Sequence, residues 1–229
     1  MRYALYFTPP ADDSLTRTAA AWLGRDAFSG EDIAVEAADA FVVETMAGLT
    51  AEPRRYGFHA TLKAPFELAP DRTEEELIAQ FEAFCAAQPA FDIPSIVVGQ
   101  LGPFFALIPA ATHPPLQEFA AAVVEAFEPF RAALTDTDIA RRKPERLSET
   151  QRAYLLRWGY PYVMEEFRFH MTLTGPVEPE QADAMRELAS SRFASFTNKP
   201  LRISGLALFV EPERGAPFTV HTWQPLTGA

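Results

Sequence analysis

A chain of 229 residues, 48% hydrophobic and 22% charged, is long enough to bury a sizeable core as one large domain or two small lobes, and nothing in it has the polar, highly charged make-up of a disordered tail. Its 31 acidic against 20 basic residues give a net charge of −11, a field that repels long nucleic acid and anionic membranes, so a phosphate-bearing ligand needs a local basic pocket. The opening MRYALYFTPP is too short an apolar run for a signal peptide, no apolar run of about 18 residues follows, and the single cysteine, Cys85, excludes an internal disulfide, features that together predict a cytoplasmic protein.

Residues 2–8 read as a strand and 12–23 as a helix with polar residues at its start, followed by a less regular stretch to about Pro53. From Tyr56 to Phe66 the residues alternate. Phe58, Ala60, Leu62 and Ala64 are apolar, and His59, Thr61 and Lys63 are polar, which predicts a strand with one buried and one chemically loaded face. An amphipathic helix over 73–87 carries Glu74, Glu75 and Glu76 at its positive end. Two strands follow, FDIPSIVVGQL and PFFALIPA, punctuated by Gly102-Pro103, then a helix from Pro114 to Leu134 that bends or ends near Pro129.

The next connector is the most basic part of the chain, with Arg141, Arg142, Lys143 and Arg146. It reads equally as a solvated loop and as a phosphate contact. Ser148-Glu149-Thr150 caps a helix that ends near Trp158-Gly159. Alternation returns from Phe167 to Thr174, with Arg168, His170, Thr172 and Thr174 on the polar face, and a helix over 180–192 and the strands LRISGLALFVE and PFTVHTW close the chain. The second half repeats the strand, helix, strand, strand order of the first. FHATLKAPFE at 58–67 aligns without gaps to FHMTLTGPVE at 169–178, matching Phe, His, Thr, Leu, Pro and Glu. This predicts an internal duplication with repeats near 54–110 and 165–225 inside a single bilobal domain spanning 1–229. The expected fold class is α+β, two duplicated lobes each with an antiparallel sheet and flanking helices around a central cleft.

Related lobes that pack about a pseudo-twofold axis bring both His-Thr pairs into one cleft. Histidine, with an unperturbed pKa of about 6.5, supplies both halves of an acid–base pair: one imidazole neutral and accepting, the other charged and donating. Each threonine, two residues along, offers a hydroxyl to a phosphate oxygen. Lys63 and Arg168 fall on the same faces by the period of two and are candidate phosphate contacts, with Tyr56 and Thr174 as further substrate-binding candidates. Solvated strand-end charge is an equal reading for Lys63 or Arg168 taken alone. Tyr160 and Tyr162 belong either to the core or to the cleft wall.

Other chemistries lack their residues. A zinc site needs three or four converging His, Cys or carboxylate ligands, and His59 and His170 have hydroxyl neighbours instead. His113 and His221 read as structural or exposed. Neither GxxxxGK[ST] nor GxGxxG occurs, which argues against nucleotide triphosphate hydrolysis and a dinucleotide cofactor. No cofactor is expected.

FHATL and FHMTL resemble the paired H-x-T signatures of the two-histidine (2H) phosphoesterase superfamily. The strings YGFHATLKAPF and RWGYPYVMEEFRFHMTLTGP further resemble a branch whose members are typically encoded in phosphonate-utilisation operons. The resemblance implies a bilobal α+β fold, metal-independent chemistry in a central cleft, and His59, Thr61, His170 and Thr172 as catalytic residues. It leads to an expected hydrolase that opens a cyclic phosphate or cleaves a small phosphodiester, with a ribose cyclic phosphate of phosphonate breakdown as substrate. The alternatives are an enzyme acting on RNA ends or nucleoside 2′,3′-cyclic phosphates, and a non-catalytic regulatory module that binds a phosphorylated metabolite.

Overall fold

The structure, a computed structural model, describes residues 1–34 and 41–228. Among these, the centre is a sheet of seven strands whose recorded pairings are all antiparallel. Its strands are β1 (Arg2–Phe7), β2 (Ala60–Phe66), β4 (Ile96–Leu101), β5 (Phe104–Pro109), β6 (Met171–Thr172), β8 (Gly205–Glu211) and β9 (Thr219–Pro225). They lie in the order β4-β5-β6-β2-β1-β8-β9. A small second sheet pairs β3 (Phe91–Ile93) with β7 (Leu201–Ile203). The period of two sorts the faces. Tyr3, Leu5 and Phe7 of β1 join the main core, while Ala4 and Tyr6 join a small cluster with Ala207, Phe209 and Phe218 on the opposite face. The helices α1 (Ser14–Leu23), α3 (Glu74–Ala87), α4 (Pro114–Phe127) and α7 (Ala182–Arg192) bury their apolar residues in the main core. The other face is left free to form a site.

Helix boundaries follow local chemistry. The Asp13 side chain accepts from Leu15 N at 2.7 Å to start α1, and Thr73 with Glu76 forms a reciprocal capping box on α3. Ser148 and Gln151 do the same for α6 (Glu149–Trp158). Pro129 ends α4 in a short 3-10 turn. No described helix is long and apolar enough to cross a membrane.

Four features differ from the sequence reading. The segment before Pro53 is in part a helix, α2 (Val43–Tyr56), so Tyr56 closes a helix and does not open a strand; residues 35–40 of that segment lie outside the described residues. Pro53 has no N–H to give to the Leu49 carbonyl four residues back, and that carbonyl instead accepts from Gly175 N at 2.6 Å. A helix defect thereby becomes a tie to the second motif. The basic connector contains a short helix, α5 (Asp136–Arg141), opened by a Thr135–Asp138 capping box. FDIPSIVVGQL and LRISGLALFVE each split in two, and their first pieces pair with one another.

The fourth difference is architectural. The repeat predicts two lobes with separate sheets, and the chain instead forms one continuous main sheet. The strands β4 and β5 follow the first motif in sequence yet pair on the side of β6, and β8 and β9 follow the second motif yet reach β2 through β1. Direct pairing of β2 with β6 seals two edges that separate sheets would leave open. The residues paired there are Ala60 and Met171, which occupy the same place in the aligned decapeptides, so the two motifs meet in a local twofold relation.

Candidate active site

His59 and His170 each stand one residue before a central strand, and both line a cleft of about 630 Å³ on the sheet's open face together with Thr61 and Thr172. The volume is ordinary for a small-molecule site. At the end of α2 the chain turns through Gly57 at φ +76°, where a Cβ would come within 2.4 Å of the Ala27 Cβ. Only glycine fits that turn. It aims the Gly57 carbonyl at His59 Nδ1, 2.9 Å away, and His170 Nδ1 meets the Arg168 carbonyl in the same manner at 2.7 Å. A carbonyl can only accept, so Nδ1 carries the proton in both neutral rings and Nε2 is the free, reactive nitrogen. The His59 Nε2 lies 3.2 Å from Thr61 Oγ1.

The two rings sit in unlike surroundings. His59 stacks on the buried Tyr6 at 4.0 Å between centroids and lies 5.9 Å from Tyr56. Burial, assisted by the positive charge of a protonated His170 and only partly offset by the Gly57 carbonyl, pushes the His59 pKa down to about 4. His59 is therefore neutral at pH 7. His170 is half-buried, and its aromatic neighbour Phe104 stands 5.9 Å away at a tilt.

The cleft wall carries five guanidinium groups that sequence reasoning did not assemble: Arg2, Arg55, Arg141, Arg142 and Arg214. Arg141 and Arg142 were visible as the basic connector, which the fold brings to the cleft; Arg55 stands four residues before His59 in the last turn of α2, and Arg2 and Arg214 come from remote segments with no local signature. The fully buried Glu211 accepts from both Arg2 and Arg55. Burial raises its pKa, but the bonds from Arg2 and the Gly215 N–H and the two positive charges outweigh that and keep it ionised. Asp138, held well below the usual carboxylate range by bonds from Arg214 and Thr135, pairs with Arg214 at 2.9 Å and Arg141 at 3.3 Å.

Not every candidate residue reaches the cleft. Tyr56 does, its hydroxyl accepting from Arg55 at 2.9 Å, and so does Tyr160, under the Arg142 guanidinium at 4.9 Å. Lys63 does not. It is buried beneath the sheet, bonded to Glu128 at 2.8 Å and the Val124 carbonyl at 3.2 Å. The cause is a bulge: Tyr6 pairs with Thr61 and Leu5 with Lys63, so β2 gains a residue between them and its parity inverts. Ala64 faces the cleft instead. Arg168 is exposed and outside the cleft wall. Thr174 is buried with its hydroxyl accepting from Phe105 N at 3.1 Å, a structural bond that also edges an apolar recess of about 230 Å³ beside Tyr56, His59 and Thr172. His113 caps α4 without a side-chain bond, and His221 contacts Thr222 and Glu74. Both stand away from the cleft. Among the described residues, no three His, Cys, Asp or Glu side chains group closely enough to hold a metal ion.

Comparison with known proteins gives a consistent set of relatives. The chain is 41% identical over 99% of its length to a ribose 1,5-bisphosphate phosphokinase PhnN of Janthinobacterium sp. (strain Marseille), of which the match covers 51%. It is 35% identical over 95% of its length to a protein of the same name from Laribacter hongkongensis (strain HLHK9), of which 50% is covered. The chain thus spans about half the length of the curated relatives it matches. Among solved structures it is similar to TT0787 of Thermus thermophilus, at 13% identity and a TM-score of 0.49 over 99% of this chain and 98% of that one. Residues 61–219, which hold both threonines, His170 and most of the cleft, match the family described as protein of unknown function (DUF1045), and the chain belongs to that family.

Proposed function

We propose that this protein is a 2H-type phosphoesterase that hydrolyses a cyclic phosphate or small phosphodiester by metal-independent acid–base catalysis. The observation that carries the reading is the matched presentation of two Nε2 atoms to one cleft, each ring fixed through Nδ1 by the carbonyl two residues earlier. His59, half-buried but stacked on Tyr6 and so held neutral, takes a proton from water through Nε2 as the water oxygen bonds to phosphorus. His170, whose ring solvent reaches, donates a proton to the departing ester oxygen as its bond to phosphorus breaks. One proton enters the pair and one leaves it, and the net reaction adds water across the P–O bond. The hydroxyls of Thr61 and Thr172 and the Arg55 guanidinium supply donors for the non-bridging oxygens, where charge concentrates as the fifth bond forms. The self-equivalent pairing of Ala60 with Met171 supports an origin by internal duplication.

The relatives' name supports a phosphorylated ribose as substrate. Opening a cyclic phosphate across O1 and O2 of ribose by breaking the bond from phosphorus to O2 leaves ribose 1-phosphate, and the same cleavage on a ribose already phosphorylated at O5 leaves the ribose 1,5-bisphosphate of that name. This chain has no GxxxxGK[ST] loop, so a supply step for such a kinase suits it better than the kinase step. A second reading, a nucleoside 2′,3′-cyclic phosphate substrate, is favoured by the recess beside Tyr56, Phe104 and Pro176, where a base has an aromatic surface to stack on.

Incubation of purified protein with ribose 1,2-cyclic phosphate and with adenosine 2′,3′-cyclic phosphate, followed by phosphorus NMR in EDTA, tests the proposal. Ring opening of the ribose ester in chelator is expected. Turnover of the nucleotide alone moves the assignment to the second reading, loss of turnover restored by a divalent ion replaces acid–base catalysis with metal-assisted hydrolysis, and binding without turnover assigns the cleft to a regulatory module.

A further inference from the structure

The cleft holds more positive charge than one reacting phosphodiester requires. Its wall contains five guanidinium groups and, among the described residues, no carboxylate. The carboxylates paired with these arginines lie outside that wall: Glu211 is fully buried, and Asp138 and Glu67 border the narrower pocket that adjoins the cleft. Five cations against three anions leave an excess of two in a chain whose net charge is −11. Concentrating like charges costs free energy unless an anion completes the cluster. A cyclic phosphodiester carries one negative charge. With that charge met, about one positive charge is left over for a further anionic group, and a phosphate monoester, at about −1.5 to −2 at neutral pH, is a group of that sign.

The arginines are also displaced to one end. Arg2, Arg141, Arg142 and Arg214 border a narrow pocket that continues past Arg131 and Asp138 and includes neither imidazole. At the opposite end Tyr56, His59 and Thr172 border the apolar recess, which none of those four arginines touches. The reacting centre therefore lies between an apolar end and a cationic end. Arg142 adds a specific observation: its guanidinium lies over the Tyr160 ring at 4.9 Å, and among the described residues no carboxylate pairs with it. A guanidinium braced on an aromatic face with its fork unengaged is preorganised for a phosphate.

We infer that Arg2, Arg141, Arg142 and Arg214 form a second anion subsite, which binds a terminal phosphate monoester that the reaction leaves untouched, so that the preferred substrate carries two phosphorus groups. The inference rests on the phosphoesterase reading for which phosphate reacts, but the subsite itself is a binding property. Its energy is available for positioning the reacting ester, since contacts remote from the chemistry hold the substrate in place.

The test compares ribose 1,2-cyclic phosphate with the same ester carrying a 5-phosphate, at fixed ionic strength. Binding is measured calorimetrically on His59→Ala protein, so that hydrolysis does not intrude, and turnover on the otherwise unaltered chain. The 5-phosphorylated ester is expected to bind roughly 10- to 100-fold more tightly, and Arg142→Gln to remove most of that preference, as the loss of a hydrogen bond to a charged group should. Equal affinity of the two esters, or a preference that survives both Arg142→Gln and Arg141→Gln, overturns the subsite. A clear binding preference with neither ester hydrolysed keeps the subsite and overturns the phosphoesterase reading. The comparison between the two ligands on one protein does not depend on any arginine variant folding.

Discussion

The two halves of the cleft begin from nearly the same letters, FHATL and FHMTL, and hold their histidines by the same bond, Nδ1 to the carbonyl two residues back. Their surroundings then diverge. His59 is pressed against Tyr6, hemmed in by Tyr56 and bonded to Thr61, and its pKa is pushed down to about 4. His170 has one tilted aromatic neighbour, Phe104, and among the described residues no partner for Nε2. A motif sets which nitrogen is offered; the neighbours from other strands set whether it holds a proton. Under the proposed mechanism this difference gives the base's part to His59 and the acid's part to His170.

Removing either ring is the harshest test of this division. His59→Ala and His170→Ala should each lower kcat by roughly 10²-fold or more, and the double variant should lose much less than the product of the two, because the pair acts as a unit. Steady-state rates of the three variants on the hydrolysed ester measure this. Near-wild-type turnover after either substitution removes the paired mechanism. The pH profile probes the asymmetry more finely. As a base, His59 must be unprotonated, so kcat/KM should rise with pH through an acid limb near 4, far below the limb near 6.5 of an unperturbed imidazole. Tyr6→Ser, which lets water reach the ring, should move that limb upward. A limb already near 6.5 in the wild type would reverse the roles assigned to the two histidines.

The threonines should repeat the asymmetry on a smaller scale. Thr61 lies 3.2 Å from His59 Nε2, whereas among the described residues Thr172 and His170 share no hydrogen bond. Thr61→Val should therefore cost roughly 10-fold in kcat, and Thr172→Val less, since each removes one hydroxyl and keeps the shape of the side chain. Equal losses would mean that both hydroxyls act only on the phosphate.

The same contrast marks what was legible in the sequence. The histidines and threonines were, because strand periodicity and a repeated string are local patterns. So were the cap at Ser148, the acidic first turn of α3 and the helix end near Pro129. Lys63 was not: the period of two assigns it to the cleft, and a bulge opposite Leu5 and Tyr6 turns it under the sheet to Glu128. A bulge depends on two strands at once and leaves no mark in either. Nor was α2, whose proline reads as a helix breaker until Gly175 takes up the freed Leu49 carbonyl. The expectation of two separate sheets failed for a related reason, since hydrophobic alternation says that a strand exists and not which half of the molecule it joins. The arginine end of the cleft, gathered from separated places in the chain, lies beyond local reading altogether.

The smallest expected effect links the His59 environment to folding. Burial depresses its pKa to about 4 in the folded chain, while an unfolded imidazole titrates near 6.5. Between those values the unfolded state binds a proton that the folded state refuses, so stability rises with pH across the window and falls as pH drops from 6.5 toward 4. Glu211 and Asp138, both depressed below ordinary carboxylate values, respond mainly at lower pH and leave the interval from about 4.5 to 6.5 largely to His59. His59→Gln should abolish about 1 kcal/mol of the stability that the wild type loses across it, a figure set below the full linkage value because solvent reaches part of the ring. Urea midpoints at both pH values for the two proteins give the comparison. A variant that loses as much stability as the wild type would show that His59 is solvated in the folded chain, and the argument for it as the neutral partner would fall with its burial.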